Sequence, residues 1–454
     1  MSRTPSPWHP IFIHFTSRVA RLATEHRVRD RFQKRRVIII IAITSRGLVS
    51  HSRFLLGVRD LAMSATTSTN SLRPAFTPAD LAVLVRGKEG SPDELKLVAD
   101  QLEDAYQGQV APESVRMFIA LASGSKMTGE SGWFGPAQSR FSWTTLAKRH
   151  GIDLNGEIIA SAFQGRPAWF ARLDRNRDGV ITAEDLDWSE ANSWVQHAYP
   201  VNRLLRRLDK KGSGRLTRED WLTFFDSVAD GADEATLEGL REAWLAGISM
   251  VYFPGDAPTQ ERLLKGMLNG ELGAFDEGPR LNELAPDFTL QTLDGHQTIR
   301  LSDRIGHKPV VLMFGNFTCA PFRSMYPGVD DVYRRFRDEA DFLGVYVREA
   351  HPTDGWKMES NTRLGVAVSQ PTSTDERRVV AQQCCRLLQP SFPWLVDEID
   401  DPVGNAYSGM PARLYVIDSH GEVAYQGGRG PFGFSVGEME QALVMTFLDE
   451  QTDK

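Results

Sequence analysis

Cysteine is almost missing from this chain, with three in 454 residues: Cys319, Cys384 and Cys385. That scarcity excludes a disulfide framework and any zinc site of the paired C-x-x-C kind, so a thiol here is either chemical or a packing residue. A reducing, cytoplasmic setting is the simpler expectation. Long hydrophobic runs are missing too. The longest, VIIIIAI at 37–43, has seven residues where a membrane span needs about twenty, so no transmembrane helix is expected. An excess of positive charge is also absent, the formal net charge being -7. An acidic body argues against a nucleic-acid partner, which requires a basic face.

What is present suggests two or three soluble domains, since the chain is too long for one core and 41% of it is hydrophobic. Residues 1–62 stand apart, with twelve Lys or Arg against three acids. Two readings fit this basic leader: an Arg-rich targeting segment, or an overextended reading frame whose true start is Met63. The apolar residues of the leader hold no sustained helical period, which favours the second. From 76 to 150 the pattern is helical, opened by TPADLAVLVRG with a Thr cap and Pro at the first helical position. The Gly- and Ser-rich stretch at 123–138 reads as a loop.

One internal repeat is visible, LDRNRDGVITAEDL from Leu173 and LDKKGSGRLTREDW from Leu208. In the first, Asp174, Asn176, Asp178, Val180 and Asp185 occupy alternate positions around Gly179, and alternate residues in a tight loop can aim several oxygens at one hard cation. The loop resembles an EF-hand, which implies Ca2+ binding. Asp185 is one methylene shorter than the usual Glu, which predicts weaker calcium affinity or a larger share of Mg2+. In the second loop Asp209, Ser213 and Asp220 keep their places, but Lys211 stands where an oxygen is needed. That loop is expected to be a structural partner, the two forming an EF-hand pair over 160–230 with a shared core, followed by a helical connector over 231–280.

Beyond Leu281 the pattern changes to strands alternating with helices, which argues for an α/β sheet over 281–450. The expected strands are a hairpin about Asp294-Gly295, then 309–314, 342–347, 413–418 and EVAYQG. Helices are expected at 322–339, near 375–388 and from about 436. Within GNFTCAPFR, Cys319 follows a buried strand and opens a helix, where unpaired N–H groups and the helix dipole favour thiolate. Phe322 stands where a thioredoxin-type site would carry its second cysteine, so no local disulfide can form in the turn. Pro411, before LYVID, fits the place of the cis proline that faces the active cysteine in thioredoxin-like folds.

The segments VLMFGNFTCAPF, ADFLGVYVREAHPTDGW and RLYVIDSHGEVAYQGGRGPFGFSVGEM together resemble the iodothyronine deiodinase family, over roughly 285–450. Together with the repeat before it, the pattern implies a multidomain α and α/β protein, a helical EF-hand domain followed by a domain that, by this resemblance, is thioredoxin-like and deiodinase-type. The resemblance implies an oxidoreductase acting on a small-molecule substrate with an external thiol as electron donor. Residue by residue, the family's catalytic selenocysteine falls on Cys319 and its active-site glutamate and histidine on Glu349 and His351. Those two lie two apart at a strand end and so point the same way, able to share a hydrogen bond and pass a proton.

Three departures qualify the expectation. Sulfur replaces selenium, which predicts slower dehalogenation; Gln370 lies near the place of the family's second histidine; and the EF-hand partner suggests a different substrate. Cys384 or Cys385 could resolve an oxidised Cys319 from a helix in the same domain, or merely pack. The alternatives are a thiol peroxidase or disulfide reductase, weakened by Asn316 where a peroxidase places Thr, and a calcium-dependent binding or scaffold protein with an inactive redox fold.

Overall fold

The structure is a computed structural model that describes residues 78–88, 91–107, 111–124, 137–189, 191–242, 259–273, 277–430 and 433–451. The basic leader and Met63 lie outside the described residues. All described residues belong to one compact unit, Arg53–Lys454. It holds two separate apolar cores.

The larger core is built on an eight-stranded mixed sheet in the order β1-β10-β9-β6-β7-β8-β4-β5. At its centre β6, Val310–Gly315, reads VVLMFG and is buried along its whole length. An unbroken apolar run is what a strand covered on both faces requires. It pairs in parallel with β7, Asp341–Tyr346, and antiparallel with β9, Arg413–Ile417. Beyond β9 lies β10, Val423–Gln426. Beyond β7 come β8, Trp394–Val396, and the hairpin β4, Thr289–Thr292, with β5, Thr298–Arg300. Gly295 supplies the positive φ, 73°, that the hairpin turn demands. Strand β8 is missing from the sequence reading because three residues are too few to show a period. So is β1, Gln138–Ser139, which pairs with β10 at the sheet edge from what reads as the end of a loop.

Helices α10, Ala320–Phe336, α12, Thr374–Leu388, and α14, Val436–Glu450, pack with this sheet. The smaller core joins α1, Pro78–Val85, α2, Pro92–Ala105, and α3, Glu113–Ala122, with α9, Gln260–Leu268. The segment expected as a connector therefore supplies the closing helix of the amino-terminal helical group, because Leu263, Leu264 and Met267 present the apolar face that α3 needs.

The repeat loops do not pair as expected. Helices α4, Trp143–His150, and α5, Pro167–Leu173, flank a short strand β2, Ile158–Ile159. It pairs with β3, Val180–Ile181, of the first loop, aligning Ile158 with Ile181. Asp153, Asn155, Gly156 and Ile158 stand at the spacing of Asn176, Asp178, Gly179 and Ile181, so the real partner of loop one keeps part of its pattern but has Gly151 and Ala162 where loop one has Asp174 and Asp185. The first loop then runs into α6, Ala183–Leu186. Loop two, between α7, Ser193–Leu208, and α8, Arg218–Ala229, docks instead on α10. Pro327 has no N–H to offer the Arg323 carbonyl one turn earlier. Gly214, at φ 72°, sits over that point so closely that a β-carbon would lie 2.7 Å from the Arg323 oxygen and 2.8 Å from that of Ser324.

Candidate functional site

The turn from β6 into α10 carries the thiol. Cys319 is the N-cap residue of α10 and is buried. Its N–H donates to Asn316 Oδ1 at 3.0 Å, and the same oxygen accepts from Ala350 N at 3.2 Å. Asn316 Nδ2 donates at 2.9 Å to the carbonyl of Pro411, whose bond to Met410 is cis. One buried amide thus clips together the cysteine turn, the segment after β7 and the proline loop before β9. The position that in a peroxidase would aim a hydroxyl at the thiol is here occupied with backbone.

Glu349 is 2% exposed and reaches the turn directly. Its Oε2 accepts from Thr318 N at 2.9 Å and from Thr318 Oγ1 at 2.7 Å, and its Oε1 accepts from the Tyr346 hydroxyl. Burial pushes the Glu349 carboxyl above its ordinary range, against the opposing hydrogen bonds from Tyr346 and Thr318. Burial, the Glu349 charge and the shared hydrogen bond likewise push the Tyr346 phenol well up. The result is a buried carboxyl, bonded to the residue before Cys319, that keeps its proton to higher pH than an exposed one.

His351 is half-buried. Its backbone N–H donates to Thr318 Oγ1 at 2.9 Å, while its Nδ1 lies 3.0 Å from the Trp356 carbonyl. Since a carbonyl only accepts, Nδ1 carries the hydrogen and the acceptor lone pair of a neutral ring is on Nε2. The expected direct link between carboxylate and imidazole is drawn differently in the structure: Thr318 joins the two segments, meeting Glu349 with its hydroxyl and His351 through that residue's backbone. Gln370 bonds both backbone groups of Glu349, donating to its carbonyl at 3.3 Å and accepting from its N–H at 2.9 Å. Thr318, Tyr346 and Asn316 are the functional neighbours that sequence reading missed; the tyrosine three residues before Glu349 at a strand end was the available signal.

Phe322 is wholly buried and stacks edge-on with Trp394 and Phe434. Gly315 has no room for a β-carbon against its ring. The place of a second turn cysteine is therefore given over to the core. Cys384 and Cys385 are buried on α12. Burial pushes the Cys384 thiol well up, and that of Cys385 up to about 12. Both shifts work against the ionised form that attack on an oxidised partner needs.

In loop one, Asp174 is 7% exposed and its Oδ1 has no hydrogen-bond partner, while Oδ2 accepts from Gly179 N at 3.0 Å. A buried carboxylate oxygen without a donor is what a cation would satisfy. Asp185 departs from the expected ligand role. Its Oδ1 accepts from Arg175 N at 2.9 Å and Asn176 N at 3.3 Å, and its Oδ2 from Thr182 N at 2.8 Å, so the shorter side chain braces the loop. In loop two both oxygens of Asp209 are used by N–H groups of Ser213 and Gly214, and Asp220 caps α8 through Thr217. Among the described residues no three acidic, imidazole or thiol groups gather as a metal cluster.

Against known proteins, the family described as Iodothyronine deiodinase matches residues 259–447, and that described as EF hand matches 168–187. The chain is 35% identical to thyroxine 5-deiodinase of Gallus gallus over 188 residues, 41% of this chain and 69% of that protein. It is 29% identical to type II iodothyronine deiodinase of Mus musculus over 214 residues, 47% of this chain and 77% of that one. Among solved structures, a putative thiol:disulfide interchange protein DsbE from Chlorobium tepidum is 19% identical, covering 38% of this chain and 98% of its own, at a TM-score of 0.27. These matches overturn the cytoplasmic expectation, because deiodinase homologues are membrane-anchored. Scarce cysteine gave no compartment. No described helix is long and apolar enough to cross a membrane.

Proposed function

This chain belongs to the iodothyronine deiodinase family, a family of oxidoreductases, and from that premise we propose that Cys319 is the nucleophile of a thiol-dependent reductive dehalogenation. The observation that carries the reading is the buried link from Cys319 through Thr318 to Glu349, at 2.7 Å from hydroxyl to carboxylate. The Cys319 thiolate attacks the halogen of a small halogenated substrate. The carbon–halogen bond breaks, a sulfur–halogen bond forms, and the carbon keeps the electron pair and takes a proton. Glu349, whose carboxyl burial pushes up, serves as the proton donor, and His351 stands at the rim of the same turn to relay the proton.

An external thiol then displaces halide from sulfur, giving a mixed disulfide. A second thiol releases the first as a disulfide and returns Cys319 to the reduced state. The substrate carbon is reduced and two external thiols are oxidised. An external donor is favoured over Cys384 or Cys385 because burial holds both protonated.

The direct test is halide release from an iodinated phenol with dithiothreitol as donor. Cys319→Ser is expected to abolish release, and Glu349→Gln to slow it by about a hundredfold with little change in KM. Equal rates in either variant and the parent would sink the reading. The apparent pKa of the Cys319 thiol is expected below the ordinary value of about 8.5.

Loop one is proposed as a cation site through Asp174, Asn176, Asp178 and the Val180 carbonyl, supported by the unpartnered Asp174 oxygen. Calcium, or magnesium at lower affinity, would supply charge balance there and no chemistry at the thiol. Asp185 is assigned to bracing. Asp209, Ser213 and Asp220 are assigned to holding loop two closed, since neither Asp209 oxygen is left without a donor as Asp174 Oδ1 is, and Lys211 stands where an oxygen is needed.

A further inference from the structure

Three arginine side chains are among the largest fully buried groups: Arg323, Arg377 and Arg429. A guanidinium out of water is costly unless an anion answers it. Arg377 has Asp401 at 2.8 Å and Arg429 has Glu113 at 3.0 Å. Arg323 is held differently. Its Nη1 donates to the Phe317 carbonyl and its Nη2 to Asn361 Oδ1 at 2.9 Å, while its Nε has no hydrogen-bond partner. Asn361, 2% exposed, donates in turn to the Thr318 carbonyl at 2.7 Å.

The fork therefore grips both residues before the cysteine. Arg323 also lies one helical turn after Cys319, its N–H donating to the Cys319 carbonyl at 3.1 Å, and side chains four apart share a helix face. The ionisable groups that act on it are Cys384 from α12, Cys319 from its own helix, and Glu349 and Tyr346 from the end of β7. The Glu349 oxygens accept from Thr318 and Tyr346, and burial pushes the Cys384 thiol well up.

We infer that Arg323 is a positioning residue for the proposed reaction: it fixes the Phe317-Thr318 turn and supplies the buried positive charge against which Cys319 ionises. This rests on Cys319 being the nucleophile. The sulfur anion is then the counter-ion that Arg323, alone among these three, lacks.

The test is the ultraviolet absorbance of thiolate against pH in the full chain, with a Cys319→Ala chain as background, so that the reading needs no substrate. Arg323→Met and Arg323→Gln are expected to raise the Cys319 midpoint by about one pH unit, a tenfold loss of thiolate at a fixed pH below it. Arg323→Lys, which keeps the charge, is expected to restore most of that shift. Far-ultraviolet circular dichroism checks the fold. If the Met variant fails to fold, the Gln variant, which keeps a donor for the Phe317 carbonyl, carries the test alone. A midpoint unchanged in a folded Met or Gln variant overturns the role of Arg323. An ordinary midpoint in the parent chain would instead overturn the nucleophile reading itself.

Discussion

Loops Asp174–Asp185 and Asp209–Asp220 spell nearly the same pattern, yet the fold gives them opposite surroundings. The first shares the core of the α/β domain. Trp169, just before it, stacks on Phe447 of α14 with ring centroids 5.5 Å apart, and the Asp185 carbonyl accepts from Gln441 of the same helix at 2.8 Å. The second touches that domain through Gly214 on α10 and through Arg215, which donates to Asp331 at 3.1 Å. Its following helix leaves Trp221 and Leu222 half-exposed. A loop that leaves one buried aspartate oxygen without a donor has an acceptor to offer the proposed cation. A loop that closes on its own aspartate becomes a brace, and the helix that begins after Cys319 is what it rests on.

The sharpest way to break this contrast is at the two tryptophans. Trp169→Ala is expected to cost about 4 kcal/mol in denaturant unfolding, as for other buried aromatic truncations; a cost near zero would detach loop one from the core. Gly214→Val, which forces a side chain into positive φ and against the Arg323 carbonyl, is expected to cost about 3 kcal/mol and to slow halide release. Unchanged turnover would show that docking on α10 does not matter for the site.

Calcium at a hundredfold excess over its dissociation constant is expected to stabilise the parent by about 2.7 kcal/mol. Asp174→Asn should remove that shift and Asp209→Asn should leave it intact, read by thermal unfolding with calcium and with chelator. The reverse pattern would exchange the roles of the loops. The smallest effect belongs to Trp221→Ser, expected within about 0.5 kcal/mol of the parent because the ring is half-exposed.

Much of the α/β domain was legible in advance. The hairpin about Gly295, the buried strand before Cys319 and the helix after it are written in local pattern, and the motif residues Cys319, Glu349 and His351 came from resemblance. The partners of those residues were not legible. Asn316, Thr318, Arg323, Tyr346 and Asn361 are polar residues among apolar ones, and nothing local says that their side chains converge. The pairing of loop one with Ile158 was hidden because Gly151 and Ala162 replace the first and last acids of the pattern, leaving only Asp153, Asn155, Gly156 and Ile158 to mark it.

By itself the sequence determined the long strands and helices of the α/β domain, where a thiol meets a helix start, and which loop has acidic oxygens in an alternating pattern. These follow from residue spacing and from each side chain's own chemistry. Tertiary structure alone decided that the Asp185 oxygens accept from the loop while Asp174 keeps an open oxygen, that loop two rests on the helix after Cys319, and that the buried Arg323 guanidinium is held by the Phe317 carbonyl and Asn361 rather than by a hydrogen-bonded carboxylate. Such outcomes depend on which distant groups share a desolvated volume. There an unanswered charge or hydrogen bond costs far more than it does in water.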